Sequence, residues 1–170
     1  MSAVQHELEG WRSRHGRDPD GATHSDERVR VPHPVVERSR AGARRLGDRY
    51  WSEVARGSGG VVRRRDNATG IDMRLFGFGP RLLRFGPAEL DVGDDIVSCR
   101  YPVRGGLLAR HPGGAITLTQ VGGAQPELRA AVSAFVPRLA LPPLYDRLQH
   151  RLHVRISRRY FRSLIRESTA

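Results

Sequence analysis

Residues 141–166 constrain the fold more than any other stretch. They read LPPLYDRLQHRLHVRISRRYFRSLIR, with an apolar side chain at every fourth position: Leu144, Leu148, Leu152, Ile156, Tyr160 and Leu164. Tyr145, Phe161 and Ile165 thicken the stripe. This is helical periodicity sustained over a length no strand reaches. Pro142 and Pro143 sit where a helix start tolerates proline, and Asp146 falls in the first turn, where an anion suits the helix dipole. An α-helix turns about 100° per residue, so a strict four-residue repeat drifts about 40° per step. The stripe therefore winds partway round the helix, as suits a long helix lying across a twisted sheet.

The 170-residue chain is long enough to bury a core and reads as one domain, residues 26–168, behind an unstructured polar tail, residues 1–25. His6, His15 and His24 lie in that tail, spaced too irregularly for a metal site, and are expected to be solvated. The one cysteine, Cys99, excludes an intramolecular disulfide and any multi-cysteine metal site. No apolar run approaches the length of about 18 residues that a membrane-spanning helix needs. The first residues lack the apolar core of a signal peptide, so the expected location is cytoplasmic. There is no lysine, and all 29 basic residues are arginine. That pattern matches the codon bias of a GC-rich bacterial genome, so the net charge of +11 is weak evidence for a nucleic-acid or membrane partner. Without lysine there is neither a Schiff-base lysine for pyridoxal phosphate nor a P-loop, and no cofactor is expected.

Upstream, residues 27–33 alternate around Val29 and Val31 as a short strand, stopped by Pro32 and Pro34. Residues 35–56 place Ala43, Leu46, Tyr50 and Val54 on one helical face, with Trp51 at its border. Gly42 and Gly47 leave one helix or two bent halves equally open. Short alternating runs then follow between turn residues: 61–65, 71–75, 81–85, 97–103 and 116–119, with 91–95 read as an acidic turn. Residues 128–139 suit strand or helix; the β-branched residues after a Gly-Gly turn favour strand. The expected class is α+β, a curved antiparallel sheet of about six to seven strands wrapped around the long C-terminal helix.

The order strand, helical segment, antiparallel meander, long final helix resembles the helix-grip architecture of the START-like (SRPBCC) superfamily, which includes polyketide cyclases, aromatase-like proteins and lipid carriers. A closer resemblance runs through TLTQ (117–120), FVPRL (135–139) and the helix from Leu144 to Ile165 with His153. It is to the uncharacterised bacterial START-like domain found alone or appended to NmrA-like reductases. The chain has no GxGxxG after a strand, so the reductase part is missing. The resemblance implies a small apolar or amphipathic ligand held between sheet and final helix.

On that reading Met73, Leu75, Leu83, Phe85, Cys99, Tyr101, Leu118, Phe135, Leu148 and Leu152 line a cavity, or simply fill the core. Tyr101, Arg100 or His153 would orient the ligand. A cyclase- or dehydratase-like enzyme would use the same pocket, with Asp72 and Tyr101 as strand-borne candidates. The carboxylates Glu89, Asp91, Asp94 and Asp95 read as a solvated turn balancing arginines. Cys99 has no histidine at a recognisable spacing and reads as a small buried hydrophobe. His150 and His153, three apart, share a helix face; without further ligands they read as a surface histidine and a half-buried, hydrogen-bonded one, not a metal site. Arg147, Arg151, Arg155, Arg158, Arg159 and Arg162 form a basic ridge that would suit nucleic-acid phosphate or anionic lipid, or would be a solvated face with internal ion pairs. A homodimer through an exposed helix face is equally open.

Overall fold

The computed structural model describes residues 8–138 and 143–169, with side chains from 8–138 and 150–169. The elements run β1 (Arg12–Arg17), β2 (Thr23–Arg30), α1 (Arg40–Gly57), β3 (Val62–Asn67), β4 (Gly70–Leu75), β5 (Arg81–Phe85), β6 (Glu89–Val92), β7 (Ile96–Gly105), β8 (Ala115–Val121), β9 (Glu127–Phe135) and α2 (Pro143–Ser168). The class is α+β. The nine strands form one antiparallel sheet in the order β1-β2-β9-β8-β7-β5-β4-β3, with β6 paired to β7 off this path.

The strand count exceeds the expected six to seven for two physical reasons. β1 carries no apolar alternation, since all six of its residues are exposed; its backbone ladder to β2, from Arg12↔Arg28 to Arg17↔Thr23, holds it in place. Residues 12–17 are therefore ordered strand, where a structureless tail was expected. β6 takes up part of the expected acidic turn, because Glu89 faces Arg100 across the ladder and forms an ion pair with it. Residues 128–135 are strand, as the β-branched residues favoured.

Helix α1 begins where Ser39 caps it, its hydroxyl accepting from the Gly42 N–H at 3.0 Å. The preceding strap is fixed by Gln120. Its Oε1 accepts from the N–H groups of Val35 (2.7 Å) and Val36 (2.9 Å), and its Nε2 donates to the Val36 carbonyl (2.9 Å). The glutamine of the TLTQ motif thus supplies buried backbone groups with partners they would otherwise lack. Neither glycine breaks α1. A Cβ on Gly47 would lie 2.1 Å from the Tyr101 hydroxyl oxygen and 2.9 Å from Cys99 Sγ, so glycine is what lets α1 lie directly on β7.

Ala43, Leu46, Tyr50, Trp51 and Val54 of α1 are buried, and so are Ile156, Tyr160, Phe161 and Leu164 of α2. A chain of edge-to-face and tilted rings joins the layers: Trp11–Phe161 (5.9 Å), Tyr160–Phe161 (5.3 Å), Tyr50–Tyr160 (5.5 Å) and Trp51–Phe85 (5.0 Å). Each such ring buried contributes about 1.5–3 kcal/mol. Glu53 of α1, almost fully buried, meets Arg56 at 3.0 Å and Arg159 of α2 at 3.3 Å, tying the two helices together.

The buried seam of α2 passes through Ile156, Tyr160 and Leu164, continues to the half-buried His153 and leaves Leu152 41% exposed. Two four-residue steps back from Tyr160 reach Leu152, and the accumulated drift of about 80° carries it off the seam. Leu152 is therefore not the cavity residue its place in the stripe implies. Leu144, Tyr145 and Leu148 lie outside the described side chains.

Candidate functional site

The residues that converge most tightly come from three elements. Glu27 on β2 sits two residues before Val29, so the period-two alternation turns all three of Glu27, Val29 and Val31 inward. Glu27 is completely buried. On the neighbouring edge strand, His15 lies opposite Ser25 and Ser13 opposite Glu27. Above them α2 presents His150 and His153, one helical turn apart.

The geometry is close. His15 Nε2 lies 3.2 Å from Glu27 Oε1, and His153 Nε2 lies 3.2 Å from Glu27 Oε2. Both contacts are within ion-pair range, yet neither carboxyl oxygen has a hydrogen-bond partner of good geometry. The hydrogen bonds of the imidazoles go elsewhere: His153 Nε2 to the Ser25 hydroxyl (3.0 Å) and His15 Nε2 to the Ser13 hydroxyl (2.9 Å). The His15 and His150 rings meet edge to face with centroids 3.8 Å apart. Burial lowers the pKa of His15 from the ordinary 6.5; Glu27 pulls it back up, while His150 and His153 lower it further. A buried carboxyl group without hydrogen-bond donors is costly wherever it occurs, and such groups concentrate where chemistry or recognition requires them.

Two cavities meet here. One, of about 290 Å³, is lined by His15, Arg17, His24, Ser25, His150 and His153 together with the apolar Val132 and Phe135. An apolar one of about 200 Å³ runs between sheet and helices, walled by Trp51, Met73, Leu83, Phe85, Ile116 and Phe135 among others. Val132, Phe135 and His153 border both. The arrangement is amphipathic, an apolar chamber with imidazoles at one end; Glu27 contacts two of them from behind and lines neither cavity. Among the described residues no group of three or more His, Cys, Asp or Glu side chains is arranged to hold a metal ion.

Of the residues expected to line a cavity, Met73, Leu83, Phe85, Phe135 and His153 do so. Leu75 is half-buried outside it. Cys99, Tyr101 and Leu118 are fully buried in packing instead, Tyr101 beneath α1 with its ring 5.1 Å from Trp51. Burial raises the pKa of both Cys99 and Tyr101. Arg100 does not reach the interior, because it is exposed and paired with Glu89. Asp72, the other strand-borne candidate, is held by Arg81 (3.2 Å), Arg74 (3.5 Å) and Arg84 (3.8 Å) on the face turned away from the core. The half-buried His153 and exposed His150 stand as the sequence reading has them. Glu27, His15 and Ser25 are the site residues that reading missed.

The ridge on α2 is partly used internally. Arg158 lies 5.1 Å over the Trp11 ring and Arg159 pairs with Glu53, while Arg151 and Arg155 are exposed and Arg162 is half-buried. A groove of about 500 Å³ runs along these five side chains. The Arg147 side chain lies outside the described residues.

No family model, no curated protein and no solved structure matches this chain.

Proposed function

We propose that this is a START-like, helix-grip domain that binds a small amphipathic molecule between the sheet and α2. The apolar body of the ligand packs among Met73, Leu83, Phe85 and Phe135, and its polar end meets His153, Ser25 and His15. The observation that carries this reading is a pair of adjacent cavities that share Val132, Phe135 and His153 as walls. Taken together they reach the size of ordinary ligand pockets, about 300–1,000 Å³. The strand order supports the superfamily reading. β2 lies beside β9 and is followed by the meander back to β3, so the first strand after the edge addition neighbours the last one, with α1 and α2 on the buried side.

An enzyme of cyclase or dehydratase type is the second reading. It is favoured by one observation: an inward-facing carboxyl, Glu27, within 3.2 Å of an imidazole that borders the chamber. An imidazole bordering an apolar pocket and backed by a buried carboxyl is an arrangement suited to proton abstraction, with His153 as the base and Glu27 as its partner.

Titration with an apolar fluorescent probe such as anilinonaphthalene sulfonate tests the binding reading. The folded protein is expected to bind it at one saturable site, and Val132→Phe, which narrows the junction, to weaken binding by about tenfold. Unsaturable or unaltered binding in Val132→Phe would sink the reading. Glu27→Gln separates the two readings. A binder keeps most of its affinity in this variant, whereas an enzyme keeps affinity and loses turnover.

A further inference from the structure

The strands β3, β4 and β5 carry an unusual grid on the face turned away from the core. In register, Arg63 lies opposite Arg74 and Arg74 opposite Arg81; one row over, Arg65 lies opposite Asp72 and Asp72 opposite Arg84. Ile71, Met73 and Phe85 alternate to the other side and are buried. Five arginines therefore surround one aspartate. Like charges directly opposite each other across a ladder are destabilising, so the Arg63–Arg74–Arg81 row is a cost, offset in part by the contacts of Arg74 and Arg81 to Asp72 and by hydrogen bonds from Arg63 to the Gly60 carbonyl and from Arg74 to the Gly79 carbonyl. A groove of about 580 Å³ lies along Arg65, Arg74, Arg81 and Arg84 and ends at Phe78.

The same corner carries an apolar tip. Phe78 is 84% exposed, Phe76 50%, Leu107 47% and Val61 38%. The backbone gathers them: Phe76 N–H donates to the Val61 carbonyl (2.6 Å), and Leu107 N–H to the Arg81 carbonyl (3.0 Å). Phe76 has φ of 51°, a conformation that bulky residues rarely adopt, in a tight turn with Gly77 at φ 82°. A turn that keeps a phenylalanine in this conformation, half in solvent, is costly; within the fold its ring meets Phe78, itself 84% exposed. The high arginine content of the chain explains neither the like-charge row nor its coincidence with the apolar tip.

We propose that this corner docks on an anionic lipid bilayer, with Phe76, Phe78, Val61 and Leu107 entering the interface while the arginine grid takes the lipid phosphates. A bilayer offers both halves of the complement in one plane: hydrocarbon beneath, phosphate above. Single-stranded nucleic acid fits less well. The two phenyl rings already stack on each other, at 6.3 Å and 27°, and Val61 and Leu107 give a base no aromatic face. The proposal does not depend on ligand binding in the interior. The two are adjacent, however, because Leu82 and Leu108 beside this corner line the apolar cavity.

Co-sedimentation of the full chain with vesicles tests it. We expect binding to vesicles of phosphatidylcholine with phosphatidylglycerol, weak binding to phosphatidylcholine alone, and weakening with added salt. Phe76→Asn with Phe78→Ser is expected to lower partitioning at least about tenfold, with an unchanged thermal melt, since asparagine tolerates the left-handed turn. Arg74→Gln with Arg81→Gln should abolish the preference for anionic lipid. Three results would overturn the proposal. One is wild-type protein that stays in the supernatant. Another is loop and grid variants that sediment like wild type, or sedimentation lost only when Arg151 and Arg155 on α2 become glutamine. The third is displacement from vesicles by a single-stranded oligonucleotide that the same variants fail to bind, which would assign the corner to nucleic acid.

Discussion

At Gly47 the contact between α1 and β7 admits only a hydrogen atom, because the Tyr101 hydroxyl oxygen would sit 2.1 Å from any Cβ. Gly47→Ala is expected to destabilise the fold by about 1–3 kcal/mol despite alanine's better helix propensity; urea unfolding measures this, and an unchanged midpoint would refute the close packing. Glu27 poses the opposite case. Its carboxyl is buried, and neither oxygen has a hydrogen-bond partner. At pH 8 the His15 imidazole, with its pKa lowered below 6.5, is neutral and offers no charge to offset the carboxyl. Glu27→Leu is accordingly expected to raise Tm at pH 8 while weakening ligand binding, the pattern of a residue kept for function at a cost in stability. A fall in Tm would make Glu27 a structural residue. The inward direction of Glu27 was legible in ERVRVPH, where it shares the face of Val29 and Val31. Its histidine partners were not, since they lie 12 and 126 positions away and contact it only through tertiary structure.

Among the elements, those with apolar periodicity could be read: α1, α2 and most of β3 to β9 follow from alternation or helical spacing. β1 could not, because an edge strand exposed along its length needs no apolar residues. The His15–His150 contact ties it to α2, beside the packing of the adjacent Trp11 on Phe161 and Arg158, so its docking should depend in part on pH. His15 is harder to protonate folded than unfolded. Burial is the main reason; the attraction of Glu27 opposes it, and His150 and His153 reinforce it. The unfolded chain therefore takes up more protons as pH falls below 6.5. The contribution of His15 to stability is complete above that pH and is lost as pH drops through the lower folded value. Thermal melts between about pH 7 and 5 should show Tm falling, with a shallower fall in His15→Leu; identical slopes would contradict the role of His15. Asp26 acts in a different window. Burial pushes its pKa up, but hydrogen bonds from Arg28 and Arg129 outweigh this and leave it below 3.8. Its contribution is thus lost only in stronger acid.

For the molecule as a whole, the apolar positions Met73, Leu83, Phe85 and Phe135 follow from alternation, but a chamber and a filled core share one pattern and differ only in volume. The polar mouth depends on β1 reaching α2, which no local signal encodes. The proposed function requires this interior to hold a small amphipathic molecule with its polar end at His153. Native mass spectrometry of the protein purified from its own host, beside Val132→Phe, tests that claim most directly. A reproducible extra mass on the wild-type protein, lost on denaturation and absent from the variant, is the expected result. A clean apo mass for the wild-type protein, or an adduct retained undiminished in Val132→Phe, would contradict it.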